Sequence, residues 1–279
     1  MITYAQAIIL GLLQGVTELF PISSLGHSVL VPGILHWNID QASPEFVSFV
    51  VATHFATALV LLGFFWRDWY NIVSGILKSL VTRKINSVHA RIGWLLIVGT
   101  IPAGLRGLVF QKKFEALFGA STIVAGALIL NGVLLLIAER LRRRAREGAA
   151  EDFALARLTW TQTLVIGTSQ CLALIPGFSR TGAAMTGGLW SGLSHENAAR
   201  FSFLLATPII FAAATLKLPK LFASGGESLS IAFVGALGAA VAAYASVKFL
   251  SRYFKTKTLT PFAIYCILAG VLSLAILLS

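Results

Sequence analysis

Charge is what this chain has least of. Only 12 % of its 279 residues are Asp, Glu, Lys or Arg, about half the ~25 % of a soluble globular domain. That excludes an ordinary soluble enzyme, a disordered chain and a secreted module. Cysteine is scarce too. Cys171 and Cys266 each lie in an apolar run, so both read as small buried hydrophobes rather than a disulfide framework, and no zinc-type spacing occurs. Met1 to Leu13 holds no Lys or Arg, so a cleavable signal peptide is not expected. What is present is apolar: 57 % of the residues. The composition points to an all-α polytopic membrane protein.

A helix that crosses hydrocarbon needs about 20 mostly apolar residues. Six segments qualify, at roughly 46–66, 92–110, 117–139, 198–218, 230–250 and 261–278. Two further apolar stretches, 4–35 and 160–192, are interrupted by Pro, Gly and Ser. Non-helical backbone at membrane depth is tolerated only when protein shields it or a polar cavity borders it. Both stretches are expected to form broken, re-entrant helical hairpins.

Basic residues set the orientation. Of 22 Lys and Arg, five lie between Arg67 and Arg91, six between Arg140 and Arg157, and four between Lys248 and Lys257. All 15 share one side if the spans alternate and each hairpin returns to its own side. That side is cytoplasmic, so both termini are expected outside. The net charge of +11 is then the inward bias plus contacts with anionic membrane lipids. The Arg140–Arg146 run has no interleaved aromatics, and no nucleic-acid partner is expected.

The broken stretches match at an offset of 156: Gly11 with Gly167, Gln14 with Gln170, Ser23 with Ser179, Gly26 with Gly182. FVVATH at 49–54 aligns with FLLATP at 203–208, and IVGTIPA at 97–103 loosely with FVGALGA at 233–239. Three spans separate the hairpins, and this odd number makes the repeats antiparallel. The expected organisation is a single membrane domain of 1–279. Its inverted halves, about 1–139 and 158–279, are joined by the basic loop 140–157. Inverted repeats with broken helices place a ligand site where the halves meet, so the two tips are expected to face one another.

Ionisable side chains embedded in a membrane are functional by default. Glu18, Ser24 and His27 in the first hairpin and Arg180 in the second are expected to share a pocket. Arg180 offers a fork of donors that suits phosphate. Gly177, Gly182 and nearby N–H groups can form an anion nest, and Ser23, Ser179 and Thr181 add hydroxyls. Ser24 and His27, three apart on a helical turn, share a face that allows proton transfer from hydroxyl to imidazole. Glu18 either orients His27 or helps hold a divalent cation. Gln14 precedes Glu18 by one turn. His54, in the FVVATH span, is a candidate for the pocket wall, as are Gln170 and Ala184.

The motifs QGVTELFPISSLGH at 14–27 and PGFSRTG at 176–182 closely resemble the bacterial undecaprenyl-diphosphate phosphatases of the bacitracin-resistance family, and the resemblance extends over nearly the whole chain. It implies an inner-membrane hydrolase with a pocket open to the periplasm. Its reaction converts the C55 isoprenyl diphosphate carrier to the monophosphate and recycles it for peptidoglycan synthesis. It also implies a divalent cation, Mg2+ or Ca2+, and leaves room for a homodimer. Carried over by motif, the family's second acidic residue is Glu18, its serines Ser23 and Ser24, its histidine His27, and its phosphate-clamping arginine Arg180, preceded by Ser179. The family's first glutamate is Gln14 here, able to offer a cation only its carbonyl. A threonine that helps hold phosphate is Ala184 here. Two mechanisms stay open: Ser24 as nucleophile with His27 as its base, or His27 acting on water. On the residues alone, a transporter or flippase for a phosphorylated lipid or small anion is the rival reading.

Overall fold

The computed structural model describes residues 2–41, 43–115, 117, 120–147, 155–223 and 225–279. They form eleven α-helices and no strand. The first hairpin is α1 (Tyr4–Thr17) and α2 (Ser24–Ile34). Three longer helices and one shorter one follow: α3 (Pro44–Phe64), α4 (Trp66–Thr82), α5 (Val88–Glu115) and α6 (Ser121–Glu147). The second hairpin is α7 (Trp160–Ser169) and α8 (Arg180–Trp190), with a 3-10 turn at Gln170–Leu174 between them. The chain ends with α9 (His195–Ala223), α10 (Gly226–Tyr253) and α11 (Thr260–Leu278). Helices α3, α5, α6, α9, α10 and α11 are the six long and apolar enough to span a membrane among the described residues. They correspond to the six expected spans, and the chain is a multi-pass membrane protein. Part of the expected basic linker, residues 148–154, lies outside the described residues.

The helix caps of the first broken stretch recur in the second. Helix α1 starts from Thr3, whose Oγ1 accepts from Gln6 N at 3.3 Å while Gln6 Oε1 accepts from Thr3 N at 2.9 Å. Helix α7 starts from Thr159 and Gln162 with the same reciprocal pair, at 3.2 and 2.8 Å. Such a capping box satisfies donors that no helical turn can reach. Helix α2 is capped by Ser23 Oγ, which accepts from Gly26 N at 3.1 Å, and α8 by Ser179 Oγ, which accepts from Gly182 N at 3.0 Å. Each pair of caps is separated by the same 156 residues.

The halves interlock. Helix α1 packs on α10, and α7 packs on α5. A Cβ at Gly11 would strike the carbonyl oxygen of Gly235, and one at Gly167 would strike that of Gly99. Small residues let helix backbones meet this closely. Gly99 and Gly235 are the glycines paired by the weaker sequence match, so that match has a physical basis. At the tips, a Cβ on Gly26 would lie 3.1 Å from Gly177 Cα, and one on Gly182 would lie 3.3 Å from Pro21 O. Each tip therefore leans on the other.

Helix α4 adds to the expected elements. Residues 67–91 read as a basic connection, but 66–82 form an amphipathic helix that buries Ile72 and Ser79 and exposes Tyr70, Val73, Leu77 and Leu80. Trp94 Nε1 donates to Ser79 Oγ at 2.9 Å and Arg200 Nη2 to Asp68 Oδ1 at 2.7 Å, which fasten α4 to α5 and α9. A helix with one apolar exposed face suits a bilayer interface.

Candidate active site

The tips bring Glu18 and Arg180 together. Arg180 Nη2 donates to Glu18 Oε1 in a direct ion pair. The other carboxylate oxygen, Oε2, accepts from Ser24 Oγ and from Gln14 Nε2, the latter at 3.1 Å. His54 reaches the same oxygen from α3, with Nε2 at 3.1 Å from Glu18 Oε2 and 3.3 Å from Ser24 Oγ. Its Nδ1 lies 2.7 Å from Val50 O and so carries the proton donated there, which turns Nε2 toward the pair. Glu18 is held at its main chain as well, where Thr181 Oγ1 donates to its carbonyl at 2.9 Å.

These groups border a cavity of about 560 Å³. Glu18, Ser24, His54, Gln170, Ser179 and Arg180 supply its polar wall, and residues of α3, α5 and α9 supply an apolar one. Ser24 is the first residue of α2 and Arg180 the first of α8. Two helix N-termini, each with a partial positive charge, thus converge on one space, an arrangement that favours an anion. Arg180 Nε is buried without a partner, so the guanidinium keeps a donor for a ligand.

Several expected roles are reassigned. The Ser24–His27 pair is not formed. His27 Nδ1 is 2.6 Å from Ser23 O and donates to it, and Nε2 accepts from Tyr265 O–H at 2.8 Å. Both ring nitrogens are used, and His27 does not border the cavity. Its ring fastens Ser23, a residue at φ 71°, where a side chain is strained. Ser23 Oγ accepts in the α2 cap, Thr181 Oγ1 donates to the Glu18 carbonyl, and neither residue borders the cavity. Gly182 N is used by the α8 cap. Gly177, at φ +105°, lies where a Cβ would strike Val124 O of α6. These two glycines serve close packing rather than an anion nest. Ala184 is 1 % exposed and packs in the core, away from the cavity. Ser179, His54 and Gln170 do border it, as expected.

Asn131, on α6, was not singled out from sequence. It is fully buried. Its Nδ2 donates to Pro21 O at 3.0 Å, and its Oδ1 accepts from Ser179 N at 3.0 Å. One amide thus clamps both tips. The signal was there: a lone Asn inside an apolar span, where a polar group needs partners. Tyr265 is the second such residue.

A cation has limited support from the protein. Among the described residues no group of three or more His, Cys, Asp or Glu is placed to hold a metal ion. Gln14 Oε1 is buried with no partner while the amide nitrogen faces Glu18. A neutral oxygen beside one carboxylate fits a cation that takes its other ligands from a bound phosphate, the usual manner for Mg2+.

The family model described as "Bacitracin resistance protein BacA" matches residues 7–272. A protein of Mycolicibacterium paratuberculosis named undecaprenyl-diphosphatase is 46 % identical, over 98 % of this chain and 97 % of its own. One of Acidiphilium cryptum with the same name is 47 % identical over 97 % of each. Undecaprenyl-diphosphatase 1 of Burkholderia pseudomallei is 47 % identical over 96 % of this chain and 94 % of its own. With a model match over nearly its full length and relatives at this identity, the chain belongs to the bacitracin resistance protein BacA family.

Proposed function

We propose that the chain hydrolyses undecaprenyl diphosphate to undecaprenyl phosphate and inorganic phosphate. The observation that carries this is Ser24 Oγ hydrogen-bonded to Glu18 in a cavity that also presents Arg180 and two helix N-termini. The diphosphate enters that cavity and draws the Arg180 guanidinium onto its terminal phosphoryl oxygens, where charge builds in the transition state. Loss of this partner frees the Glu18 carboxylate to take the Ser24 proton along the existing hydrogen bond. Ser24 Oγ attacks the terminal phosphorus and the bond to the bridging oxygen breaks. His54 Nε2, in reach of both Glu18 and Ser24, passes the proton to the departing monophosphate. Water then cleaves the phosphoserine, restores the hydroxyl and releases inorganic phosphate.

Glu18 and Gln14 Oε1 would hold a divalent cation shared with the substrate, which would neutralise phosphoryl-oxygen charge. The halves are inverted about the membrane plane. The protein resides in the bacterial inner membrane, with the cavity opening to the periplasm and both termini on that side. The positions of the basic clusters support this orientation.

The test is phosphate release from C55 isoprenyl diphosphate by the purified protein in detergent. The expected result is turnover in the parent and a loss of about 10³-fold or more in Arg180→Ala, the scale of an arginine that stabilises phosphoryl transfer. Movement of the intact diphosphate across sealed vesicles without phosphate release contradicts the proposal and favours a transporter.

A further inference from the structure

A second cavity, of about 400 Å³, lies between α4, α5 and α9. Trp69, Ile72 and Ile76 form its α4 wall, Pro208 its α9 wall, and a stripe of α5 from Gly93 to Leu108 its floor. That stripe spans about 22 Å at the helical rise. The cavity is apolar. Its one hydroxyl, Thr100 Oγ1, is already donated to Leu96 O at 2.8 Å. Its other polar atom, Trp69 Nε1, is one buried N–H without a partner, too little to hold a charged headgroup.

It adjoins the active-site cavity. Gly104 and Leu108 border both cavities. At Gly104 a Cβ would meet nothing within 4 Å, so open space lies where the two join. We propose that this groove is the seat of the substrate's isoprenyl tail. The diphosphate occupies the Arg180 cavity, the first isoprene units pass Gly104, and the chain then lies along α5 toward α4. The inference rests on the diphosphatase reading, which places an eleven-unit isoprenoid on the same headgroup. The groove's use is selection by chain length, since each buried methylene adds to binding and a short tail leaves the α4 end unfilled.

The test compares kcat/KM for C55 and C15 isoprenyl diphosphates in the parent, in Gly104→Leu, which fills the junction, and in Ile97→Trp, which fills the groove beyond it. Gly126→Leu serves as control, because that glycine also has nothing within 4 Å but lies on α6 outside both cavities. The expected result is a C55-to-C15 ratio above one in the parent and lower by tenfold or more in the two groove variants, through KM for the C55 substrate. A ratio unchanged in both variants overturns the proposal and leaves the groove to a bilayer acyl chain. Absence of hydrolysis of either substrate by the parent strikes the diphosphatase reading instead. A second measurement needs no variant. A long-chain diphosphate analogue with a diazirine at the far end of its tail is expected to label peptides containing Trp69–Ile76 or Gly93–Ile101. Labelling confined to other helices overturns the tail path even if hydrolysis proceeds.

Discussion

Arg180 and Glu18 form a direct ion pair although 162 residues separate them in the chain. Each occupies the tip of a different hairpin, and each hairpin begins with the same cap. The pair is where the two halves exchange charge, and every role assigned to the cavity depends on it.

Removal of either partner leaves the other charge uncompensated in a buried setting, which costs about 3–5 kcal/mol. Arg180→Lys keeps the charge but loses the planar fork. It is expected to restore thermal stability relative to Arg180→Ala while kcat stays at least tenfold below the parent. Thermal unfolding and phosphate release on the same preparations check both halves of this expectation.

His54, not His27, faces Ser24. His54→Ala is expected to lower kcat about 10²-fold, as loss of a proton-transfer group does, with KM for the C55 diphosphate within about threefold of the parent. Steady-state kinetics decide it. A rise in KM with kcat unchanged would assign His54 to substrate binding alone.

Asn131 clamps Pro21 and Ser179. Asn131→Leu leaves the Ser179 N–H unpaired and the Pro21 carbonyl with only the weak Cys266 thiol donor at 3.9 Å, at about 1–3 kcal/mol for each lost bond. The expected outcome is a lower unfolding temperature together with a kcat decrease of about tenfold or more at little-changed KM, since the tips lose register. Both are read from a melt and a substrate titration.

Gln14→Glu adds a carboxylate beside Glu18. A cation shared with the diphosphate gains a charged ligand, so the concentration that gives half-maximal activation by Mg2+ or Ca2+ is expected to fall by about tenfold, one ion-pair's worth of binding. Gln14→Leu is expected to raise it. Titration of cation into chelator-treated protein measures both.

Glu139, on α6, ties the starts of α9 and α11 to its own helix. Its Oε1 lies 2.6 Å from His195 Nε2 and accepts from Leu259 N at 2.7 Å. Glu139→Ala is expected to destabilise the protein by about 3 kcal/mol and to leave KM unchanged, with the unfolding temperature as readout.

Much of the site could be read from the residues. Pro21, Pro176 and Gly177 interrupt otherwise apolar stretches, and broken backbone at membrane depth has to be shielded by protein or border a polar cavity. That marked the hairpins, and the 156-residue spacing of Ser23 and Ser179 marked their shared caps. The meeting of Glu18 with Arg180 followed from the count of spans between them. The hydrogen-bond partners within the tip did not follow. Ser24 and His27 do share a helical face by spacing, but long-range groups compete for both. Tyr265 O–H, 238 residues away, takes the His27 ring, and Glu18 takes the Ser24 hydroxyl. Helix α4 was concealed because its charged face dominated a short apolar stripe. Asn131 needed the fold to show that its two amide ends reach two different tips.

In the proposed reaction Ser24, held by Glu18 and served by Arg180, attacks the terminal phosphorus. Acid quench of the enzyme during turnover of C55 diphosphate labelled with 32P at its terminal phosphate tests this most directly. Transient label is expected on the peptide that carries Ser24, and none in Ser24→Ala or Arg180→Ala. Steady release of labelled phosphate with no protein-bound label at any time point, and inversion at phosphorus, would contradict it.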